Sequence, residues 1–160
     1  MVRRAVVLLG GQGTRLRPLT LTAPKPLLPV ANRPMSLYHL ALLHACGIKE
    51  VVLSIGARQT GFRSLATLGR RLGMTVHLAG ERSPLGTAGG IRNAARAFRG
   101  REPFFAFNGD ILADFDLRAM EKHHRECRAA VTIGLVRVAD PSAFGLVVTG
   151  ADGLVSRFIE

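Results

Sequence analysis

Apolar positions along the chain fall into short β-branched runs alternating with stretches at helical spacing. Arg4-Ala5-Val6-Val7-Leu8-Leu9 ends in Gly10-Gly11, the pattern of a buried strand running into a turn. A polar, proline-punctuated stretch follows to Arg33. Leu37, Leu40, Ala41 and His44 then recur at helical spacing, with Pro34 suited to a first turn and Gly47 to a stop. The alternation continues as a strand over Glu50 to Ile55, a helix over about 60 to 72, a strand over Met74 to Ala79, and a helix over about 87 to 98. Pro103 to Asn108 predicts another strand. Asp116 is a good N-cap for a helix reaching Cys127, with Leu117, Met120, His124 and Cys127 inward, and Ala130 to Val136 predicts a strand after it. The rhythm then changes: Phe144 to Thr149, the turn Gly150-Ala151-Asp152-Gly153, and Leu154 to Ile159 predict a hairpin.

Strands alternating with helices of this length predict an α/β fold, a mainly parallel sheet with helices on both faces. Ligands of such sheets bind beyond the carboxyl ends of the strands. The length, 160 residues, allows one domain with a real core. With 48% hydrophobic and 21% charged residues the chain is not of a disordered kind, and no apolar run reaches membrane-spanning length. Cys46 and Cys127 lack metal-ligand spacing and no secretory leader is evident, so reduced thiols and a cytoplasmic location are expected. A homo-oligomer is compatible with this composition and not specified by it.

Charge changes the picture. The net charge of +11 would ordinarily point to a polyanion, but residues 1–101 hold 16 Lys/Arg against two acids, net +14, whereas residues 102–160 hold six against nine, net −3. Arginine accounts for 19 of the 22 basic residues, so part of the excess is also what an Arg-, Ala- and Gly-rich composition would give. A nucleic-acid-binding module would interleave its cations with exposed aromatics. Here there is one tyrosine, no tryptophan, and eight phenylalanines mostly within apolar runs. Arg70-Arg71 and Arg92, Arg96, Arg99 and Arg101 are expected to form solvated basic faces. His123-His124 are expected to point one out and one in, without a metal.

The first strand runs into Gly10-Gly11-Gln12-Gly13-Thr14-Arg15-Leu16-Arg17-Pro18-Leu19-Thr20. Glycines here let successive N–H groups converge on phosphate oxygens, and Arg15 and Arg17 add cationic forks. It is neither a Walker loop nor a dinucleotide fingerprint, because no Lys-Ser/Thr follows and Leu16 replaces the third glycine. Taken alone it would also serve as a tight connection. Next, Ala23-Pro24-Lys25-Pro26-Leu27-Leu28-Pro29-Val30 holds Lys25 between two prolines, which predicts a stiff, extended arm carrying a fixed cation.

Together these two segments resemble the signature of the sugar-1-phosphate nucleotidylyltransferases, the nucleotide-diphosphosugar pyrophosphorylases. The resemblance covers essentially the whole chain and implies a Rossmann-like sheet. It also implies that an NTP and a sugar-1-phosphate are the binding partners, with neither nucleic acid nor membrane. Gly10, Gly11, Gly13, Thr14 and Arg15 would cradle the triphosphate, and Arg15 and Lys25 would act on the leaving pyrophosphate and the transferred phosphate. In Asn108-Gly109-Asp110, Asp110 corresponds to a carboxylate that holds catalytic Mg²⁺, although an isolated aspartate there would also suit a turn. Glu81, Gly86 and Thr87, within Glu81-Arg82-Ser83-Pro84-Leu85-Gly86-Thr87, resemble the base-reading loop. Asn108, Gly145 and Glu160 resemble sugar-contacting positions.

Glu81 bears on the base. A carboxylate only accepts hydrogen bonds, and guanine offers two adjacent donors where thymine and uracil offer one between acceptors. Relatives that use thymidine or uridine nucleotides often carry glutamine here, so Glu81 favours GTP; together with Gly86-Thr87-Ala88-Gly89 and Asp140-Pro141-Ser142-Ala143-Phe144-Gly145, the chain resembles family members whose acceptor is mannose-1-phosphate. Glu81 as a solvated loop charge is the alternative. Thymidylyl or uridylyl transfer to glucose-1-phosphate, and nucleotide binding without turnover, are the competing functions. The family pattern departs at Leu9, where a small residue is more usual. It also continues past Glu160 to a second metal-binding aspartate, so residues 1–160 resemble the amino-terminal portion of a nucleotidyltransferase domain.

Overall fold

The structure, a computed structural model, describes residues 1–11, 13–56, 61–140 and 145–159. Its centre is a four-stranded parallel sheet made of β1 (Arg4–Leu8), β4 (Glu50–Ile55), β5 (Thr75–Gly80) and β6 (Phe105–Asn108). Their order is β5-β4-β1-β6, with Ala5 opposite both Val51 and Phe105, and Leu8 opposite Ser54 and Asn108. The helices are α1 (Leu19–Thr22), α2 (Met35–Ala45), α3 (Phe62–Arg71), α4 (Gly86–Ala95) and α5 (Leu117–Glu126). Two small antiparallel pairs complete the fold: β2 (Pro29–Val30) with β3 (Arg33–Pro34), and β7 (Leu146–Thr149) with β8 (Val155–Ile159).

Alternation along the buried strands divides the core. Ala5 and Val7 of β1, with Val51, Leu53 and Ile55 of β4, face Leu40 and Leu43 of α2 and Phe62 and Leu65 of α3. Val6 and Val52 point the other way and meet Ala94 of α4, together with Phe98 and Phe104. Helices thus cover both faces, as the strand-helix alternation predicts. Each fully buried aliphatic side chain contributes about 1.5–3 kcal/mol. An exposed pair such as Lys122–Glu126, at 3.8 Å, contributes about 0–1 kcal/mol, so apolar burial dominates over the surface charges.

Several sequence expectations need correction. Ala130 to Val136 forms no strand: it is irregular, with Val131 75% and Val136 72% exposed. Among the described residues nothing pairs with the outer edge of β6, and an apolar run without a ladder partner does not become a strand. The buried face of α2 consists of Ser36, His39, Leu40 and Leu43, so of Leu37, Leu40, Ala41 and His44 only Leu40 lies on it. That helix is apolar almost all round, so its periodicity left the face undecided; buried hydrogen bonds from Ser36 and His39 fix it instead.

Cys127 is exposed against His123 instead of inward, because α5 ends at Glu126 and Cys127 caps it. Asp116 does cap α5, accepting from the Arg118 and Ala119 backbone N–H groups at 3.0 Å. The hairpin forms with a bulge between Val148 and Thr149. The start expected for α3 at Thr60 and the first hairpin residue Phe144 lie outside the described residues.

Candidate active site

Because β1, β4, β5 and β6 are parallel, their carboxyl ends share one edge, and most of the candidate residues follow those ends. The glycine-rich turn leaves β1, Asn108-Gly109-Asp110 closes β6, and Glu81 follows β5. Gly13 has φ +62, and a Cβ there would stand 2.9 Å from Thr20 Cγ2 and 3.0 Å from Lys25 Cβ. Both the positive φ and the crowding require glycine. The Thr20 hydroxyl donates to the Gly13 carbonyl at 2.9 Å, and Thr14–Leu16 then form one 3-10 turn that sets Arg15 beside the loop.

Lys25 opens a 3-10 turn, Lys25–Leu27, and is not on the extended arm its flanking prolines predict. Pro26 fits an early position of that turn, where its missing N–H leaves no bond unmade. Pro26 is buried, and its carbonyl accepts from the buried Ser36 hydroxyl at 2.8 Å. That bond locks the arm onto the start of α2.

The arm and the β6 loop meet. Lys25 Nζ lies 2.8 Å from Asp110 Oδ2, and the two line a cavity of about 180 Å³ with Gly11, Gly13, Thr14, Arg15 and Leu16. Hydrogen bonding from Lys25 holds the Asp110 carboxyl below the usual aspartate value. The charges of Lys25 and Arg15 act in the same sense, and partial burial opposes them. The cavity is therefore cationic, with one ionised carboxylate at its wall, a setting suited to a phosphorylated anion and a divalent cation together.

A larger cleft of about 1290 Å³ lies along the outer edge of β6. It is bounded by Phe105, Phe107, Ile111, Leu112, Val131 and Ile133, with Asn108 and Thr87 on its margin. Its lining is mainly apolar, with Arg101, Glu102, Asp114 and Glu121 among its residues, whereas Arg15, Lys25 and Asp110 line the smaller cavity.

Glu81 is tied down. Its Oε1 accepts from the Ser54 hydroxyl at 2.9 Å and its Oε2 from the Leu85 backbone N–H at 3.3 Å, so it is not a free solvated charge. Gly86 and Thr87 open α4 directly beyond. Gly10 and Gly11 lie at the end of β1, and a Cβ on Gly10 would come 3.8 Å from Glu81 Oε1. Leu9, where the family pattern has a small residue, is buried and packs beneath Gly109, where a Cβ would come 2.1 Å from Leu9 Cδ2. It therefore supports the Asp110 loop.

Gly145 precedes β7 in the separate two-stranded sheet and lines neither cavity. Glu160 lies outside the described residues. The sequence reading missed Ser54 and His39. Ser54 stood out as the one polar residue in Val51-Val52-Leu53-Ser54-Ile55, whereas nothing local marked His39. His39 Nε2 is 2.8 Å from the Ile111 carbonyl, next to Asp110; a carbonyl only accepts, so Nε2 carries the proton. Among the described residues no group of three or more His, Cys, Asp or Glu side chains is placed to hold a metal. Among the described residues no helix is long and apolar enough to cross a membrane.

Residues 4–160 match the family model described as nucleotidyl transferase. The mannose-1-phosphate guanylyltransferase of Mycobacterium tuberculosis is 46% identical over 98% of this chain and 43% of its own length. The mannose-1-phosphate guanylyltransferase catalytic subunit beta of Danio rerio is 39% identical over 98% of this chain and 44% of its own. The chain thus spans less than half the length of these curated relatives. Among solved structures, HddC from Yersinia pseudotuberculosis complexed with GMP-PN superposes with a TM-score of 0.83 at 26% identity, covering 99% of this chain and 69% of that one. A UDP-glucose pyrophosphorylase complexed with UDP-glucose, at 20% identity and a TM-score of 0.70, covers 94% of this chain and 64% of that one and shares the fold.

Proposed function

Since the chain belongs to the nucleotidyl transferase family, we propose that its site serves the transfer of a guanylyl group from GTP to mannose-1-phosphate, with release of pyrophosphate. The observation that carries this is the 2.8 Å contact of Lys25 with Asp110 beside Arg15, in the cavity under the glycine-rich turn. The sugar-phosphate oxygen attacks the α-phosphorus and forms the new P–O bond. The bond from that phosphorus to the bridging oxygen breaks, and its electron pair leaves with pyrophosphate.

Both reactants are anions, so the protein's part is alignment and neutralisation. The backbone of Gly10, Gly11, Gly13 and Thr14 approaches the triphosphate, Arg15 holds the departing pyrophosphate, and Lys25 takes the phosphoryl group in transfer. Glu81 accepts from guanine, and Gly86 and Thr87 flank the base at the mouth of α4. Asn108 faces the sugar.

Asp110 would hold Mg²⁺, with no second carboxylate lining its cavity among the described residues. That suits a cation typically bound by one or two carboxylates plus substrate phosphates and water. When bound, Mg²⁺ neutralises phosphate charge. The Lys25–Asp110 contact keeps the carboxylate ionised and ready for such a cation. The free thiols of Cys46 and Cys127 fit a cytoplasmic setting.

The test is pyrophosphate release from GTP, mannose-1-phosphate and Mg²⁺, with GDP-mannose identified as product. GDP-mannose formed with GTP, and no corresponding nucleotide sugar with UTP or dTTP, is the expected result. Product from UTP or dTTP with glucose-1-phosphate would overturn the guanylyl assignment. GTP binding without turnover would support a second reading, a nucleotide-binding chain that is inactive alone.

A further inference from the structure

We infer that Ser54 is a specificity-positioning residue, whose buried hydroxyl sets the plane of the Glu81 carboxylate and so makes the site choose guanine. The inference rests on the reading that Glu81 contacts the base. Ser54 is fully buried on β4, between Leu53 and Ile55, on the sheet face that α4 covers. A hydroxyl buried among aliphatic side chains costs free energy unless it is bonded, and Ser54 Oγ donates to Glu81 Oε1 at 2.9 Å.

The surroundings leave that carboxylate little freedom. A Cβ on Gly90 of α4 would stand 2.8 Å from Glu81 Oε1, so the carboxylate lies directly against the helix backbone. The Glu81 backbone N–H is bonded to the Ile55 carbonyl at 2.9 Å, and the Leu85 N–H reaches Oε2 at 3.3 Å.

An ionised carboxylate offers about four lone-pair sites. Ser54 takes one on Oε1 and Leu85 one on Oε2, leaving one on each oxygen. Two parallel acceptors match the adjacent ring N–H and exocyclic amine of guanine; uracil and thymine offer one donor between two acceptors, which a carboxylate repels. Without the Ser54 hydroxyl the carboxylate can rotate, and the paired presentation is lost while the phosphate-binding loop is untouched.

The experiment measures binding of Mg·GTP, Mg·UTP and Mg·dTTP to the full chain by calorimetry, for the unmodified protein, Ser54→Ala, Ser54→Thr, Glu81→Gln and the Ser54→Ala/Glu81→Gln double variant. Circular dichroism checks that each is folded. Ser54→Ala is expected to weaken GTP binding on the order of 10-fold while UTP and dTTP change by less than about 2-fold. Ser54→Thr, which keeps the hydroxyl, should restore the preference, and the double variant should be no worse than Glu81→Gln alone. Equal weakening of all three nucleotides by Ser54→Ala means a merely structural hydroxyl and overturns the inference. Loss of preference in Glu81→Gln but not in Ser54→Ala overturns it while leaving the base reading intact. An unchanged preference in Glu81→Gln, or no GTP binding by the unmodified chain, overturns both.

Discussion

Lys25 Nζ donates to Asp110 Oδ2 at 2.8 Å, joining two loops that are 85 residues apart in the chain. One loop follows β1 and the other follows β6, so the contact exists because those strands are parallel neighbours, with Leu8 opposite Asn108. It gathers one cation and one carboxylate at the sheet edge where a nucleotide's phosphates would lie.

Lys25→Ala should lower turnover about 10²- to 10³-fold, the usual cost of removing one well-placed electrostatic donor. Affinity for GTP should fall far less if, as proposed, the lysine acts on the phosphoryl group in transfer. Steady-state kinetics in an active enzyme, compared with direct titration of nucleotide, separates the two. Equal losses in both would contradict the assignment.

Asp110→Asn tests the pair through pH. The folded-state pKa of Asp110 is held below 3.8, so its contribution to stability is complete above about pH 4 and is lost as pH falls through the lowered value. The pair is partly exposed, with 48% of the Asp110 side chain accessible, so the effect at pH 7 should be about 1 kcal/mol or less. Urea unfolding of both proteins from pH 7 to pH 2 should show the difference closing only below about pH 4. A difference that grows on acidification would be inconsistent with a lowered pKa.

His39→Ala should destabilise the protein by about 2 kcal/mol or more, since it empties a buried site and leaves the Ile111 carbonyl without its donor. His39→Gln, whose amide nitrogen can reach the same carbonyl, should lose less. Denaturant midpoints compare them. Because Ile111 follows Asp110, His39→Ala should also weaken Mg·GTP binding more than His39→Gln does.

Two neighbouring glycines should respond differently. Gly13→Ala places a side chain at φ +62 against Thr20 and Lys25, and should cost about 1–2 kcal/mol or more of stability. At Gly11 a Cβ meets nothing within 4 Å, so Gly11→Ala should leave stability nearly unchanged. If the turn approaches phosphates, Gly11→Ala should weaken GTP binding even so. Thermal melts with and without GTP distinguish the outcomes.

The sequence by itself determined the sheet's strands and most of its helices, because alternation and helical spacing are local records of which side chains leave water. It also marked the chemical types at the site: the glycine turn, Arg15, the proline-flanked Lys25, Asp110 and Glu81. The tertiary structure decided which of these meet. Strand order β5-β4-β1-β6 brings Lys25 to Asp110 and Ser54 to Glu81, and no local pattern records a partner 85 or 27 residues away. It also turned α2, apolar nearly all round, so that Ser36 and His39 face inward to bond Pro26 and Ile111. Val131 to Val136 carry a strand's composition without forming one, since a strand needs a neighbour's backbone as well as its own side chains.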